Sequence, residues 1–146
     1  MICQRHALIG GLLSVATIVV YAAICASPSP ASVLVTLSGR VIGGSGKHAV
    51  FVALWDASGF LKRPVQQMRI EPQGDPHFQF QIPIGRWALS SFEDKNNNGI
   101  LDMGVFGPKE ASGFWRPFHA WRKPRFDDVA VQIDHNTTDA DIQLNR

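Results

Sequence analysis

Apolar and polar side chains alternate with a period of two along most of the chain after residue 32. The alternation is clearest at 77–82, where phenylalanine or isoleucine at every second position is separated by histidine or glutamine. A period of two predicts strands with one buried and one exposed face, because successive side chains of a strand point to opposite sides. Similar runs occupy 33–38, 65–70, 86–92, 129–133 and 142–144.

The run 50–55 differs because it is apolar on both faces, which predicts a strand that is covered on both sides. The run 65–70 is more polar and predicts an edge strand. Glycine, proline, asparagine and aspartate separate these runs, as expected of turns. About seven short strands with such turns predict an all-β protein, an antiparallel β-sandwich. No window after the N-terminal segment has the period of a helix.

The N-terminal segment 1–31 has a different pattern. Arg5 and His6 precede an apolar run at 7–26, and small residues and prolines follow it. This order is typical of a secretory signal. The apolar run also approaches the roughly 20 residues that span a bilayer, so an N-terminal membrane anchor is the alternative. We therefore expect an exported domain at 32–146, periplasmic or extracellular, joined to a membrane only if 7–26 is retained.

Composition narrows the expectation further. A chain of 146 residues holds one ordinary domain, and its formal net charge of +2 arises from nearly balanced acids and bases. Nucleic acid is therefore not expected as a partner. Both cysteines, Cys3 and Cys25, lie in the N-terminal segment. The expected domain must then be stable through its own core, without a disulfide.

A loop at 94–102 carries the most specific chemistry. Its pattern, D-x-N-x-N-G-x-L-D, has the spacing of the first nine positions of an EF-hand-type calcium loop. In such a loop, oxygen-bearing side chains at alternate positions surround one cation, the sixth residue is a glycine and the seventh gives a backbone carbonyl. The predicted calcium ligands are Asp94, Asn96, Asn98, the carbonyl of Ile100, and Asp102.

The match to a calcium loop is incomplete. The twelfth position, which usually supplies a bidentate glutamate, is Val105, so Glu110 is the candidate to close the ligand shell. Only two carboxylates lie within the pattern, which favours a weak site of about 10⁻⁴–10⁻³ M. The alternative is a metal-free loop in which asparagine side chains bond to the backbone.

From Gly85 onward the chain resembles the DUF2141 family of bacterial exported domains of unknown function. The resemblance rests on four blocks in the family's order, at 85–88, 94–102, 108–114 and 124–128. It implies a small sandwich, similar to prealbumin-like or immunoglobulin-like domains, in the bacterial envelope, and it implies no reaction. The chain departs from the family at Phe106, where a glycine is usual, and at 115–117, where small polar residues are usual.

The long segment 93–125 contains five aromatic residues, so we expect it to be ordered and to fold over one end of the sandwich. Its second half mixes aromatic and cationic side chains. Such a mixture can bind a glycan, a peptide or an envelope protein. Alternatively the aromatics fill the core while the cations face water. The candidate ligand surface consists of Trp115, Arg116, His119, Trp121 and Arg122.

An enzyme is the weakest of the hypotheses. The four carboxylates at 93, 94, 102 and 110 could supply the pair that a hydrolase such as a glycosidase needs. Carboxylates in a loop of this kind are more often ligands or turn caps, and the histidines have no zinc-site spacing. The sequence therefore predicts a non-catalytic exported module with a calcium-type loop.

Overall fold

The computed structural model describes residues 32–119 and 122–145, and the predicted signal or anchor at 1–31 lies outside them. Strands make up most of the regular structure. In chain order the elements are β1 (Leu34–Ile42), β2 (Ala49–Trp55), β3 (Gln66–Ile70), β4 (His77–Pro83), β5 (Gly85–Asp94), β6 (Met103–Gly104), β7 (Gly107–Pro108), β8 (Ser112–Phe114), α1 (Phe126–Val129), β9 (Val131–Ile133) and β10 (Ile142–Gln143).

One sheet has three strands in the order β10-β1-β4. Strands β1 and β4 are antiparallel, with Leu34 opposite Pro83 and Arg40 opposite His77. Burial alternates residue by residue along both strands, as the period of two predicts. The short strand β10 runs parallel to β1, with Val41 opposite Ile142. The sequence predicted an antiparallel sandwich, and this pair departs from that prediction.

The other sheet has the order β3-β2-β5, and two short strands share the far edge of β5. Strand β8 pairs with the second half of β5, and β9 pairs with its first half. Strand β3 lies at the opposite edge, where its polar pattern predicts it. Residues 103–108 form a separate two-stranded hairpin of β6 and β7.

The two sheets pack face to face around one hydrophobic core. This core confirms the prediction of an all-β sandwich, because each inner face contributes the apolar members of its alternating strands. Its large buried side chains are Val35, Leu37, Val41, Val52, Leu54, Ile70, Phe78, Phe80, Ile82, Leu89, Ile133, Ile142 and Leu144.

A second, aromatic cluster covers the outer face of the sheet that contains β5. Ala88 belongs to this cluster and Leu89 belongs to the core. Because neighbouring strand residues point to opposite sides, the cluster lies on the face turned away from the core. Residues 114–119 and 122–130 thus contribute to the cover of this outer face, whereas the sequence predicted that the whole segment 93–125 folds over one end. The aromatic members are Trp55, Phe60, Phe114, Phe118 and Phe126.

The predicted strand at 129–133 is wrong at its start. Val129 ends the four-residue helix α1, and the strand begins at Val131. The period of two that includes Val129 arises because its side chain is buried in the aromatic cluster. A single turn of helix is too short to produce a helical pattern in the sequence.

The C-terminal segment 137–145 joins the two sheets. It bonds to β1 through Thr137 and β10, and to β8 through Ser112 and Asn145. Two glycines allow the close approach. A Cβ atom at Gly39 would lie 2.4 Å from the carbonyl of Ala140, and one at Gly113 would lie 2.0 Å from the Gln143 carbonyl oxygen.

Both hydrophobic clusters are built from residues between 35 and 144. The segment 32–146 therefore contains a core of its own and can be studied by itself. Within the described part of the chain, no helix has the length and hydrophobicity needed to cross a membrane.

Candidate functional site

The Asp/Asn loop, residues 94–102, begins at a rigid strand end. Asp94 is the last residue of β5 and lies opposite Ala49 of β2. Two residues earlier the Phe92 ring stacks on Phe51 with 5.3 Å between the ring centroids. Gly99 returns to the same place, since a Cβ there would lie 4.0 Å from the Phe51 ring. The outer face of β2 and β5 thus fixes both the start and the turn of the loop.

Oxygen-bearing side chains at alternate positions bend the loop backbone. The Asp94 carboxylate accepts the N–H of Asn98 at 3.2 Å and that of Gly99 at 2.7 Å. The side chain of Asn96 also accepts from the Asn98 N–H at 3.2 Å. The side chain of Asn98 in turn accepts the N–H of Ile100 at 2.8 Å. The alternating pattern read from the sequence is therefore an alternation of hydrogen-bond acceptors around one turn.

Two residues of the loop have left-handed backbone. Asn97 has φ of 56° and Gly99 has φ of 74°. Asparagine and glycine adopt this conformation more easily than other residues. The glycine at the sixth position thus makes the sharp turn that its place in the pattern predicts.

Asp102 closes the network of side chains. Its carboxylate accepts the amide N–H of Asn96 at 2.7 Å and that of Asn98 at 3.3 Å. The structure therefore brings together four of the predicted ligands, Asp94, Asn96, Asn98 and Asp102. The fifth, Ile100, joins through its backbone N–H, and its side chain is exposed.

Glu110 holds the two ends of the loop together. Its side chain is almost fully buried, with 4% of the residue exposed. One carboxylate oxygen accepts the N–H of Lys95 at 2.8 Å, and the other accepts the N–H of Asp102 at 3.2 Å. The carbonyl of Asp102 accepts from Lys109 at 2.8 Å. The residue predicted to close the ligand shell thus lies at the loop, where it braces the backbone.

Across residues 32–119 and 122–145, no group of three His, Cys, Asp or Glu side chains is arranged to hold a metal ion. The side-chain oxygens of the loop accept hydrogen bonds from N–H groups of the loop itself, so the arrangement is a local hydrogen-bond network. Its chemistry still suits a hard cation, because its side chains present carboxylate and amide oxygens.

Glu93, adjacent to the loop, has a different partner. Its side chain is buried, and its carboxylate accepts the backbone N–H of Ser45 at 3.0 Å and the Ser45 hydroxyl. These bonds attach the glycine-rich turn between β1 and β2 to the loop end of the sandwich. The partner Ser45 was not predicted, although Glu93 continues the row of Leu89 at every second position of β5, and a carboxylate on a buried row needs hydrogen-bond donors.

Of the candidate ligand surface, Arg116, His119 and Arg122 are exposed, and Trp115 is partly buried. Trp115 is partly buried against the main core, and its backbone N–H donates to the carbonyl of Leu89. The Arg116 guanidinium bonds to the Ala130 carbonyl at 3.4 Å, and Arg122 bonds to Asp128. His119 is exposed, and Trp121 lies outside the described residues. Two of the cations thus make internal contacts.

The pair of Arg122 and Asp128 fastens the segment that covers the aromatic cluster. Two guanidinium N–H groups bond to the carboxylate at 2.6 and 2.8 Å, and the backbone N–H of Arg125 donates to it at 2.7 Å. The Arg122 guanidinium also lies 5.3 Å from the Phe118 ring centroid. The Arg122 hydrogen bonds, with that of Arg125, lower the pKa of Asp128 well below its usual range.

This lowered pKa predicts a pH-dependent contribution to stability. A carboxyl group whose pKa is lower in the folded state stabilises fully above its unfolded pKa of about 3.9 and loses that contribution as the pH falls. We expect wild type to melt at a higher temperature than Asp128→Asn above about pH 5, with a gap that narrows below pH 4. Melting curves from pH 3 to 7 measure this, and a gap independent of pH would contradict it.

The hairpin of β6 and β7 was missed by the sequence analysis. Its tip consists of Val105 and Phe106, whose exposed fractions are 93% and 103%. Phe106 is one of the five aromatic residues from which order of the segment 93–125 was predicted. The structure leaves it in solvent.

A two-sheet β-sandwich with a glutamate-braced Asp/Asn loop defines a class of small, all-β modules. The sequence model of one family, described as "Uncharacterized protein conserved in bacteria (DUF2141)", matches residues 44–141. The chain belongs to the DUF2141 family. No curated protein matches the chain, and no solved structure matches it.

Proposed function

We propose that this protein is a non-catalytic, exported β-sandwich module whose Asp/Asn loop binds calcium. The observation that carries the proposal is the convergence of Asp94, Asn96, Asn98 and Asp102 in one turn that Glu110 braces at both ends. A turn already fixed by the protein loses little entropy when a cation enters.

The hydrogen bonds of Asp102 suggest how calcium would enter. Its two partners are the amide nitrogens of Asn96 and Asn98, and each amide also carries an oxygen. Rotation of these side chains would turn their oxygens toward the space next to Asp102, in exchange for the hydrogen bonds that these oxygens accept from the N–H groups of Asn98 and Ile100. A cation there would replace the N–H groups as the partner of the carboxylate. Asp94, which supports the backbone, would add the second charge.

The buried carboxylates support a structural role instead of a catalytic one. Glu93, Asp94 and Glu110 have exposed fractions of 1%, 2% and 4%. Each accepts hydrogen bonds from the protein's own N–H or O–H groups. A general acid or base must reach a substrate, and these groups are used within the fold.

Calcium titration of the segment 32–146 tests the proposal. A ligand at ten times its dissociation constant stabilises a protein by about 1.4 kcal/mol, which raises the melting temperature of a domain of this size by about 5 °C. We expect this rise at millimolar calcium, as for the weaker extracellular sites. Isothermal titration should give the same affinity. The absence of both binding heat and a rise in melting temperature would refute calcium binding.

Two variants make the calcium experiment specific. Asp102→Asn removes a charge and keeps an oxygen, so it should reduce the rise to less than about 1 °C. Asp139→Asn removes an exposed acid outside the loop, and it should respond to calcium as wild type does. Equal responses of both variants would show that calcium acts through general surface charge.

A further inference from the structure

Four large apolar side chains are exposed within seven residues of the loop and the hairpin that follows it. They are Ile100, Met103, Val105 and Phe106. Val105 and Phe106 form the two-residue tip between β6 and β7, and their exposed fractions are 93% and 103%. Neighbouring exposed apolar residues of this size indicate an interaction site more often than isolated ones do.

Turn chemistry does not account for the tip residues. Tight turns favour glycine, proline, asparagine, aspartate and serine, and valine is poorly suited to them. Glycines stand on both sides of the tip, at Gly104 and Gly107, and Gly107 has a positive φ of 134°. Neither local conformation nor burial therefore explains why Val105 and Phe106 are apolar.

We propose that this tip inserts into the interface of a lipid bilayer. The tip is convex, so a rigid protein partner would need a matching pocket, whereas a lipid surface deforms around it. The side chain of Lys109 lies along the hairpin, because a Cβ at Gly104 would be 3.4 Å from its Cγ and 3.6 Å from its Cε. A lysine so placed can keep its ammonium group among phosphates while its stem lies beside Gly104, at the base of the apolar tip.

Insertion is shallow in this geometry. The hairpin has only two pairs of residues, and the backbone groups of its turn need water or polar headgroups as partners. Apolar side chains at an interface are buried about 5–10 Å into the boundary between headgroups and acyl chains. Val105 and Phe106 fit this depth, while the braced loop stays among the headgroups.

Charge couples the tip to the proposed calcium site, and this part of the inference rests on the proposed function. Residues 94–110 contain the carboxylates of Asp94, Asp102 and Glu110 and the ammonium groups of Lys95 and Lys109. The local charge is therefore negative by one, and one bound Ca²⁺ makes it positive by one. Anionic lipids attract positive charge near their surface, so calcium should strengthen the attachment.

Cosedimentation with vesicles of phosphatidylglycerol and phosphatidylcholine tests the proposal on the segment 32–146. We expect wild type to bind in calcium, and Val105→Ser with Phe106→Ser to weaken binding by at least about tenfold. The control is Val33→Ser with Ile84→Ser, which removes exposed apolar side chains at the opposite end of the sandwich. Phe106→Trp should retain binding, because tryptophan favours membrane interfaces.

The outcomes separate insertion, calcium coupling and self-association. Equal binding by wild type and the tip variant, or no binding by either, overturns the proposal. Binding that needs the tip but is unaffected by calcium or by Asp102→Asn supports insertion and overturns the coupling. If wild type shows no vesicle binding but sediments as a dimer that the tip variant loses, the occupant is a second copy of the chain.

Discussion

Glu110→Ala is expected to lower the free energy of unfolding of the segment 32–146 by about 3 kcal/mol, since it strands two partly buried N–H groups. The N–H groups of Lys95 and Asp102 would each lose a charged acceptor. The loop would also lose the side chain that joins its two ends. Urea unfolding followed by tryptophan fluorescence measures the change.

Glu110→Gln separates the loss of acceptors from the loss of volume. A glutamine keeps one oxygen acceptor and presents an NH₂ group to the other N–H, so it should restore only part of the stability. Glu71→Ala is the matched control, because the Glu71 side chain is 63% exposed and pairs with Arg69 at the surface. It should change stability by less than about 0.5 kcal/mol. A loss for Glu110→Ala no larger than this would contradict the bracing role.

The sandwich could be predicted from the sequence because burial on one face leaves a period of two. In β4, phenylalanine and isoleucine alternate with glutamine, and the structure buries the first set. The strand 50–55 was also predicted correctly, since Val52 and Leu54 face the core and Trp55 faces the aromatic cluster. Patterns of this kind survive because a shift by one residue would expose the whole apolar set.

The pairing of strands had no comparable signal. Nothing in residues 142–143 indicates that β10 runs parallel to β1, because the same alternation suits either direction. The division of the far edge of β5 between β8 and β9 likewise depends on contacts distant in sequence. The helix α1 was missed because four residues contain too little pattern.

The candidate loop was predictable because its geometry is local. Asp94, Asn98 and Gly99 interact within six residues, so their spacing alone specifies the turn. Glu110 was a candidate because Val105 stands where the loop pattern usually has a glutamate, although the bonds of Glu110 go to backbone N–H groups. Calcium binding stays a prediction.

The exposed hairpin could not have been found from composition. Val105 and Phe106 have the same residue types as core members, and apolar side chains in a long segment are normally assigned to packing. Only the structure distinguishes an aromatic that is buried, such as Phe78, from one in solvent. The glycines on either side of the tip were the one local sign of a turn there.

Gly113→Ala is expected to destabilise the segment 32–146 by about 3 kcal/mol or more, because the added methyl group meets backbone that cannot move aside alone. An alanine Cβ at this position would lie 2.0 Å from the carbonyl oxygen of Gln143. This steric clash can be relieved only if β8 moves away from the C-terminal segment. That movement would break the two hydrogen bonds between Ser112 and Asn145, at 2.9 and 3.0 Å.

Gly44→Ala is the matched control for Gly113→Ala. A Cβ at Gly44 would meet only the side chains of Leu144 and Val50, at 3.7 and 3.8 Å, which is ordinary contact. It should leave stability unchanged or raise it by up to about 1 kcal/mol, because alanine restricts the unfolded chain. Comparable urea midpoints for the two variants would mean that close packing of the C-terminal segment against β8 does not contribute to stability. A large loss at Gly113 alone would establish that this segment holds the two sheets together next to the braced loop.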